Sequence, residues 1–206
     1  MEPLPTGISV LDREFGGGIP SGSVVVLKAD PASQSELILD RFALVRECQY
    51  LTTVRSVESV ESSLTLDDAA DDTVVRDATG DEPLATVLDV AAGLPDGGTI
   101  VVDSADPLET RGREEYGEFL SDLRRHVDDA DGLAVIHALK NASADRARVV
   151  TEQIADVVFD LRTTVTGTEI ANRLVVPKFR GGAALEEPLK LKLTDSVSVD
   201  TSRDIA

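Results

Sequence analysis

A chain of 206 residues with 38 acidic against 20 basic side chains carries a formal charge of −18, and 42% of it is apolar. That length and apolar content suit one α/β domain with a full core, and the acidity argues against a surface that binds polyanions broadly. A single cysteine, Cys48, excludes a disulfide framework and a cysteine-based metal cluster.

No apolar run approaches the ~20 residues of a membrane span, and the first residues lack a basic, apolar, small-residue signal pattern. A soluble cytoplasmic protein with no membrane partner is therefore expected. Only five of the basic residues are lysine, aspartate outnumbers glutamate and aromatics make up 3% of the chain. Such an acidic, lysine-poor surface suits a high-salt cytoplasm, where screening makes self-repulsion tolerable. A disordered acidic chain is the alternative, and the regular apolar runs argue against it.

In chain order, strands are predicted at Val24–Ala29, Tyr50–Val54, Thr73–Asp77, Thr99–Asp103 and Leu133–Leu139. Helical patterns lie between them at Ser35–Glu47, Val57–Leu64, Pro83–Leu94 and Glu109–Val127, with a further helix near Ala144–Ala155. This alternation is the pattern of βαβ units and a mostly parallel sheet. Three closing runs, Val157–Thr166, Glu169–Lys178 and Leu189–Val199, predict antiparallel strands added at one edge. The acidic run 67–72 reads as a solvated loop and residues 201–206 as a frayed tail of one domain spanning 1–206.

The most specific stretch is residues 4–42, LPTGISVLDREFGGGIPSGSVVVLKADPASQSELILDRF. Its TGISVLD and FGGGIPSGS elements resemble the opening of the RecA superfamily, in particular its KaiC-like and RadA-like ATPases. The resemblance implies a RecA-like α/β fold and a Gly-rich phosphate loop ending Gly-Lys-Ser/Thr directly after the first core strand. A phosphate loop needs glycines that let backbone N–H groups curl around phosphates, a lysine for their charge and a hydroxyl for Mg²⁺. The matching residues here are Ala29, Asp30, Pro31, Ala32, Ser33, Gln34, Ser35 and Glu36. Ser35 stands at the lysine position and Glu36 at the magnesium position, while Asp30 and Glu36 would repel a polyanion. A degenerate nucleotide loop that takes neither ATP nor Mg²⁺ is the leading expectation. An ordinary capped turn before a helix and a divergent nucleotide site are the alternatives.

The run Thr99–Asp103 resembles the family's acid-tipped Walker B strand, which makes Asp103 a relic of Mg²⁺ binding. Where the family carries catalytic glutamates after its second strand, this chain has Val54 and Arg55, and neither can act as a general base. Glu58 and Glu61 nearby fall on a solvent-facing helical pattern. The late segment Lys178-Phe179-Arg180-Gly181 matches a Lys-x-Arg-Gly element that reaches a neighbouring protomer's γ-phosphate; its plain alternative is a basic hairpin tip. Lys140, Arg146 and Arg148 fall where RecA-like proteins touch DNA, against a solvated helix face as the simpler reading.

His126 and His137 are the only histidines, and His137 lies in an apolar run as a core side chain would. No Ser-His-Asp or metal-ligand spacing is evident. The sequence therefore predicts a pseudo-ATPase without catalytic residues, metal or cofactor. It would act as a regulatory or assembly subunit beside a RecA-type paralogue or itself. An accessory recombination or repair protein that contacts DNA and a divergent ATPase are the alternatives.

Overall fold

The computed structural model describes residues 2–64, 72–140, 146–167, 169–182 and 184–200, without the side chain of Arg146. Most of the predicted acidic loop 67–72, the tail 201–206 and the start of the helix predicted from Ala144 lie outside the described residues.

The chain forms β3 (Ser23–Ala29), α2 (Glu36–Leu44), β4 (Cys48–Thr52), α3 (Val57–Leu64), β5 (Thr73–Asp77), α4 (Pro83–Ala91) and β6 (Thr99–Asp103). There follow α5 (Arg113–Asp129), β7 (Leu133–Leu139), α6 (Arg146–Ile154), β8 (Val157–Thr166), β9 (Glu169–Phe179), β10 (Leu189–Leu193) and β11 (Val197–Val199). A two-stranded ribbon, β1 (Pro3–Leu4) with β2 (Ile19–Pro20), and a short α1 (Ser9–Glu14) precede them.

Among the described residues, nine strands make one sheet in the order β11-β10-β9-β8-β3-β7-β6-β4-β5. The six strands from β8 to β5 are parallel; β9, β10 and β11 extend the β8 edge antiparallel. This is the α/β architecture expected from the sequence.

Alternation along each strand sorts the core into two layers. Val25, Leu27 and Ala29 of β3 point to the α1–α3 side, Val24 and Val26 to the side covered by α4, α5 and α6. Four of the five phenylalanines meet on the first side. Phe15 packs on Phe179 with ring centroids at 4.6 Å and on Phe159 at 6.1 Å, and Phe42 lies 6.2 Å from Phe159. Each pair adds about 0.5–1.5 kcal/mol to the burial of the rings.

The opening block is a structural clasp. Asp12 Oδ1 accepts from the Thr6 backbone N–H at 2.6 Å and from its hydroxyl at 2.7 Å. Gly18 has φ 137°, and a Cβ there would stand 2.1 Å from the Leu4 carbonyl oxygen, so only glycine closes the ribbon.

Several boundaries differ from the sequence reading. β4 begins at Cys48 and ends at Thr52, since Val54 is 67% exposed. The predicted helix 109–127 splits at Gly112, φ 102°, into a 3-10 turn at Leu108–Arg111 and α5. The predicted strand 189–199 is a hairpin of β10 and β11.

Candidate functional site

The carboxyl ends of β3, β4, β6 and β7 converge where open α/β sheets place their ligands. Backbone bonds hold this edge: Thr53 N–H donates to the Asp103 carbonyl at 2.8 Å and Lys140 N–H to that of Ala29 at 2.7 Å. The β3–α2 loop, with Asp30, Pro31, Ala32, Ser33 and Gln34, leaves this edge at the end of β3. Asp30 O accepts from the Ser33 N–H at 2.9 Å and hydroxyl at 2.6 Å, which makes the loop a tight turn. Ala29 is buried and Glu36 begins α2.

Ser35 occupies the N-cap of α2, but its hydroxyl makes no cap bond. It turns inward to His137 Nε2 at 3.0 Å, and His137 Nδ1 meets Asp103 Oδ1 at 2.7 Å. The ordinary capped turn is thus not what Ser35 forms. The structure also corrects the expectation that no Ser-His-Asp arrangement exists, because parallel pairing sets Asp103 directly beside His137.

The second carboxylate oxygen of Asp103 is filled as well. Oδ2 accepts from the Tyr50 hydroxyl at 2.9 Å and from Arg55 Nη2 at 2.7 Å, and that Arg55 nitrogen also lies 3.0 Å from the Tyr50 oxygen. Burial pushes the Asp103 carboxyl up, yet the bonds and charges from His137 and Arg55 outweigh it and hold the group at about 2. An ionised carboxylate only accepts. His137 Nδ1 therefore carries the proton shared with Asp103, and its Nε2 meets the Ser35 hydroxyl. Burial and the Asp103 charge raise the Tyr50 hydroxyl well above its ordinary range, so it stays a donor.

A serine triad attacks a carbonyl brought to its oxygen. Ser35 is 1% exposed and His137 2%, so this arrangement holds its own groups in place instead of presenting a nucleophile. One acid beside it is less well satisfied. Asp40, on α2, is buried with Oδ1 lacking a hydrogen-bond partner. Burial, opposed by Arg55 and Arg41, pushes its carboxyl up to about 6.

The chain belongs to a family of unknown function, DUF7125, whose model matches residues 3–206. It is 32% identical over 114 residues to a DNA repair protein RadA from Rickettsia bellii (strain RML369-C), a match covering 52% of this chain. The chain spans about a quarter, 25%, of that relative's length. A KaiC-like protein, PH0186 from the hyperthermophilic archaeon Pyrococcus horikoshii OT3, superposes with a TM-score of 0.77 over 96% of this chain and 98% of its own, at 15% identity. The fold of this DUF7125 chain is thus the RecA-type fold of KaiC-like proteins.

The remaining candidate residues are scattered. Lys178 and Arg180 lie at the far end of β9, beside the start of β8 and hence at the opposite end of the parallel strands from Ser35. Seven residues of β3 separate the two ends, about 20 Å. Lys178 Nζ donates to the carbonyls of Glu152 and Gln153, and Arg180 to those of Gln153 and Ile154, capping the C-terminus of α6.

Arg148 is not on the solvated face, nor at a DNA-facing one: it is 4% exposed and bonded to Glu109, Asp106 and the Leu139 carbonyl. Lys140 turns to Asp160 at 2.6 Å, and the Arg146 side chain lies outside the described residues. Among the described side chains, Lys140 and Arg148 are both paired with carboxylates and form no basic groove. Glu58 and Glu61 are exposed on α3.

Sequence reasoning missed Tyr50 and Arg55 as partners of Asp103. The available signal was positional: Asp103 and His137 are polar residues near the ends of two apolar runs, where adjacent parallel strands bring them side by side.

Proposed function

We propose that this chain is a RecA-type pseudo-ATPase that acts without a nucleotide of its own, as a regulatory or assembly subunit. The observation that carries this reading is the double occupation of Asp103. His137 and Arg55 take the two carboxylate oxygens, and in a working ATPase the acid at the tip of this strand helps hold Mg²⁺. The guanidinium is the resident cation. Around it, a degenerate β3–α2 loop offers no glycine and no lysine, and Ser35 is committed to His137. Without these the phosphate charge has no counterweight, so neither ATP nor Mg²⁺ is a cofactor in this reading.

Lys178 and Arg180 are the residues offered to a partner, a RecA-type paralogue or another copy. From their end of the sheet they could serve only a neighbour's site. The single domain works in a high-salt cytoplasm, which matches the acidic, lysine-poor composition. The likeness to a DNA repair protein RadA supports a second reading, an accessory repair protein that touches DNA. The burial of Arg148 weighs against it.

Affinity capture of the full chain from its own lysate tests the proposal. Co-purification of a RecA-type ATPase whose rate changes when this chain is added is the expected result. Capture of no such ATPase, with ATP turnover by the chain alone, contradicts it.

A further inference from the structure

Two rows of like charge stand on the same side of the sheet. Arg162, Arg173 and Lys190 lie opposite one another across β8, β9 and β10. Their neighbours Leu161, Leu174 and Leu191 belong to the core layer on the other face, so alternation turns all three to the α4–α6 side. Exposed Lys192 continues this surface along β10, and Lys140 joins it through Asp160, which Arg162 also meets at 2.9 Å. Lys190 reaches Glu169 at 3.8 Å and Asp200 at 3.4 Å. The face thus gathers five cations against three carboxylates among the described residues, in a chain of net charge −18.

The second row is on α5. Glu114, Glu118 and Asp122 follow one another at four-residue intervals, which places them on one stripe, with Asp122 also meeting Arg125 of the same helix at 2.9 Å. With Gly117, Val150 and Gln153 they line an open groove between α5 and α6, to which Arg113 also contributes. Helix α6 lies between the two rows, packed on α5 and tied to β9 through Lys178. Its outward side carries Val149, 53% exposed.

The two rows match in length. Two strand spacings make the basic row about 10 Å long, and eight residues of helix make the acidic stripe about 12 Å long. Like charges directly opposed on a sheet, or four apart on a helix, are unfavourable in the isolated chain. We propose that this side docks a second copy of the chain about a two-fold axis over α6, each basic row on the other's acidic stripe and Val149 at the centre. Such an isologous contact uses one surface twice. Among the described residues this sheet face has no aromatic ring on which the bases of a single-stranded nucleic acid could stack, which favours the protein partner. The inference does not depend on the nucleotide reading above.

Sedimentation of the full chain at tens of micromolar tests it. In about 0.15 M KCl a dimer is expected, weakening but not lost as KCl rises, since screening shortens the reach of the charges and leaves the apolar contact at Val149. Arg162→Glu with Arg173→Glu, or Glu118→Lys with Asp122→Lys, should each raise the dissociation constant about tenfold or more. All four changes in one chain should restore the dimer, because the charges are then exchanged. Val149→Asp, on the surface of α6, should also give a monomer and decides the matter if a strand variant fails to fold. A wild-type monomer at 0.15 M KCl overturns the proposal, as does a dimer indifferent to every variant. A monomer that binds a labelled oligonucleotide through Arg162 and Arg173 would overturn it in favour of nucleic acid.

Discussion

Arg55 Nη2 stands 2.7 Å from Asp103 Oδ2, and the two side chains are 29% and 9% exposed. A cation supplied by the chain itself therefore neutralises the most constrained acid at the carboxyl edge of the sheet. Removing one partner of a buried pair costs about 3–5 kcal/mol. Partial exposure of the guanidinium reduces this to about 2 kcal/mol for Arg55→Ala. In a chain of this size that corresponds to a melting temperature lower by about 4–8 °C, readable by circular dichroism.

Asp40 gives the fold a pH dependence of distinct sign. Its folded value of about 6 lies above the ordinary 3.8 of an aspartate, so the folded state resists ionising it. Stability is fullest below the unfolded value and falls as pH rises from about 4 to 6. Asp103, held at about 2, acts oppositely: its contribution is present above pH 4 and is lost as pH falls towards 2. Denaturant midpoints should thus rise when pH is lowered from 7 to 5. Asp40→Asn should flatten that rise and stabilise the chain at pH 7 by about 1–3 kcal/mol. An unchanged profile in the variant would assign the effect elsewhere.

Replacing Lys178 and Arg180 together by alanine removes four bonds to the last carbonyls of α6. Both side chains are partly in solvent, so the expected cost is about 1 kcal/mol. The chain should still fold. In the proposed complex the same variant should slow a partner's ATP turnover by far more, a trans-acting arginine contributing up to ~10³-fold or greater. A partner rate equal to that with wild type would reduce the pair to a helix cap.

The net charge of −18 predicts that the unfolding temperature rises with KCl, since the Debye length falls to about 3 Å at 1 M. Calorimetry between 0.1 and 2 M KCl reads this directly. A flat dependence would remove salt adaptation as the reason for the composition.

The sheet was legible because its strands are apolar on both faces: runs such as 24–29 and 133–139 admit few other structures. Boundaries failed where hydrophobicity misled. Val54 looks like strand and is mostly exposed, while Gln49, polar, sits within β4 opposite Ile100. Asp103 was found as the end of its strand, but its partners were not, because which side chains meet across strands depends on register. Arg55 is one of several charged residues after β4, and no local pattern marks it as the one that turns inward. The inward turn of Ser35 was hidden for a related reason: serine before a helix ordinarily caps it, and only the neighbouring His137 offers it something better.

Calorimetric titration of the purified chain with Mg-ATP tests the central claim most directly. With Asp103 paired to Arg55 and His137, and Ser35 held by the histidine, no heat of binding is expected up to millimolar nucleotide. Ser35→Lys, which restores the lysine position alone, should bind no better and should melt at a lower temperature. A dissociation constant for Mg-ATP in the low micromolar range for the wild-type chain would contradict the account.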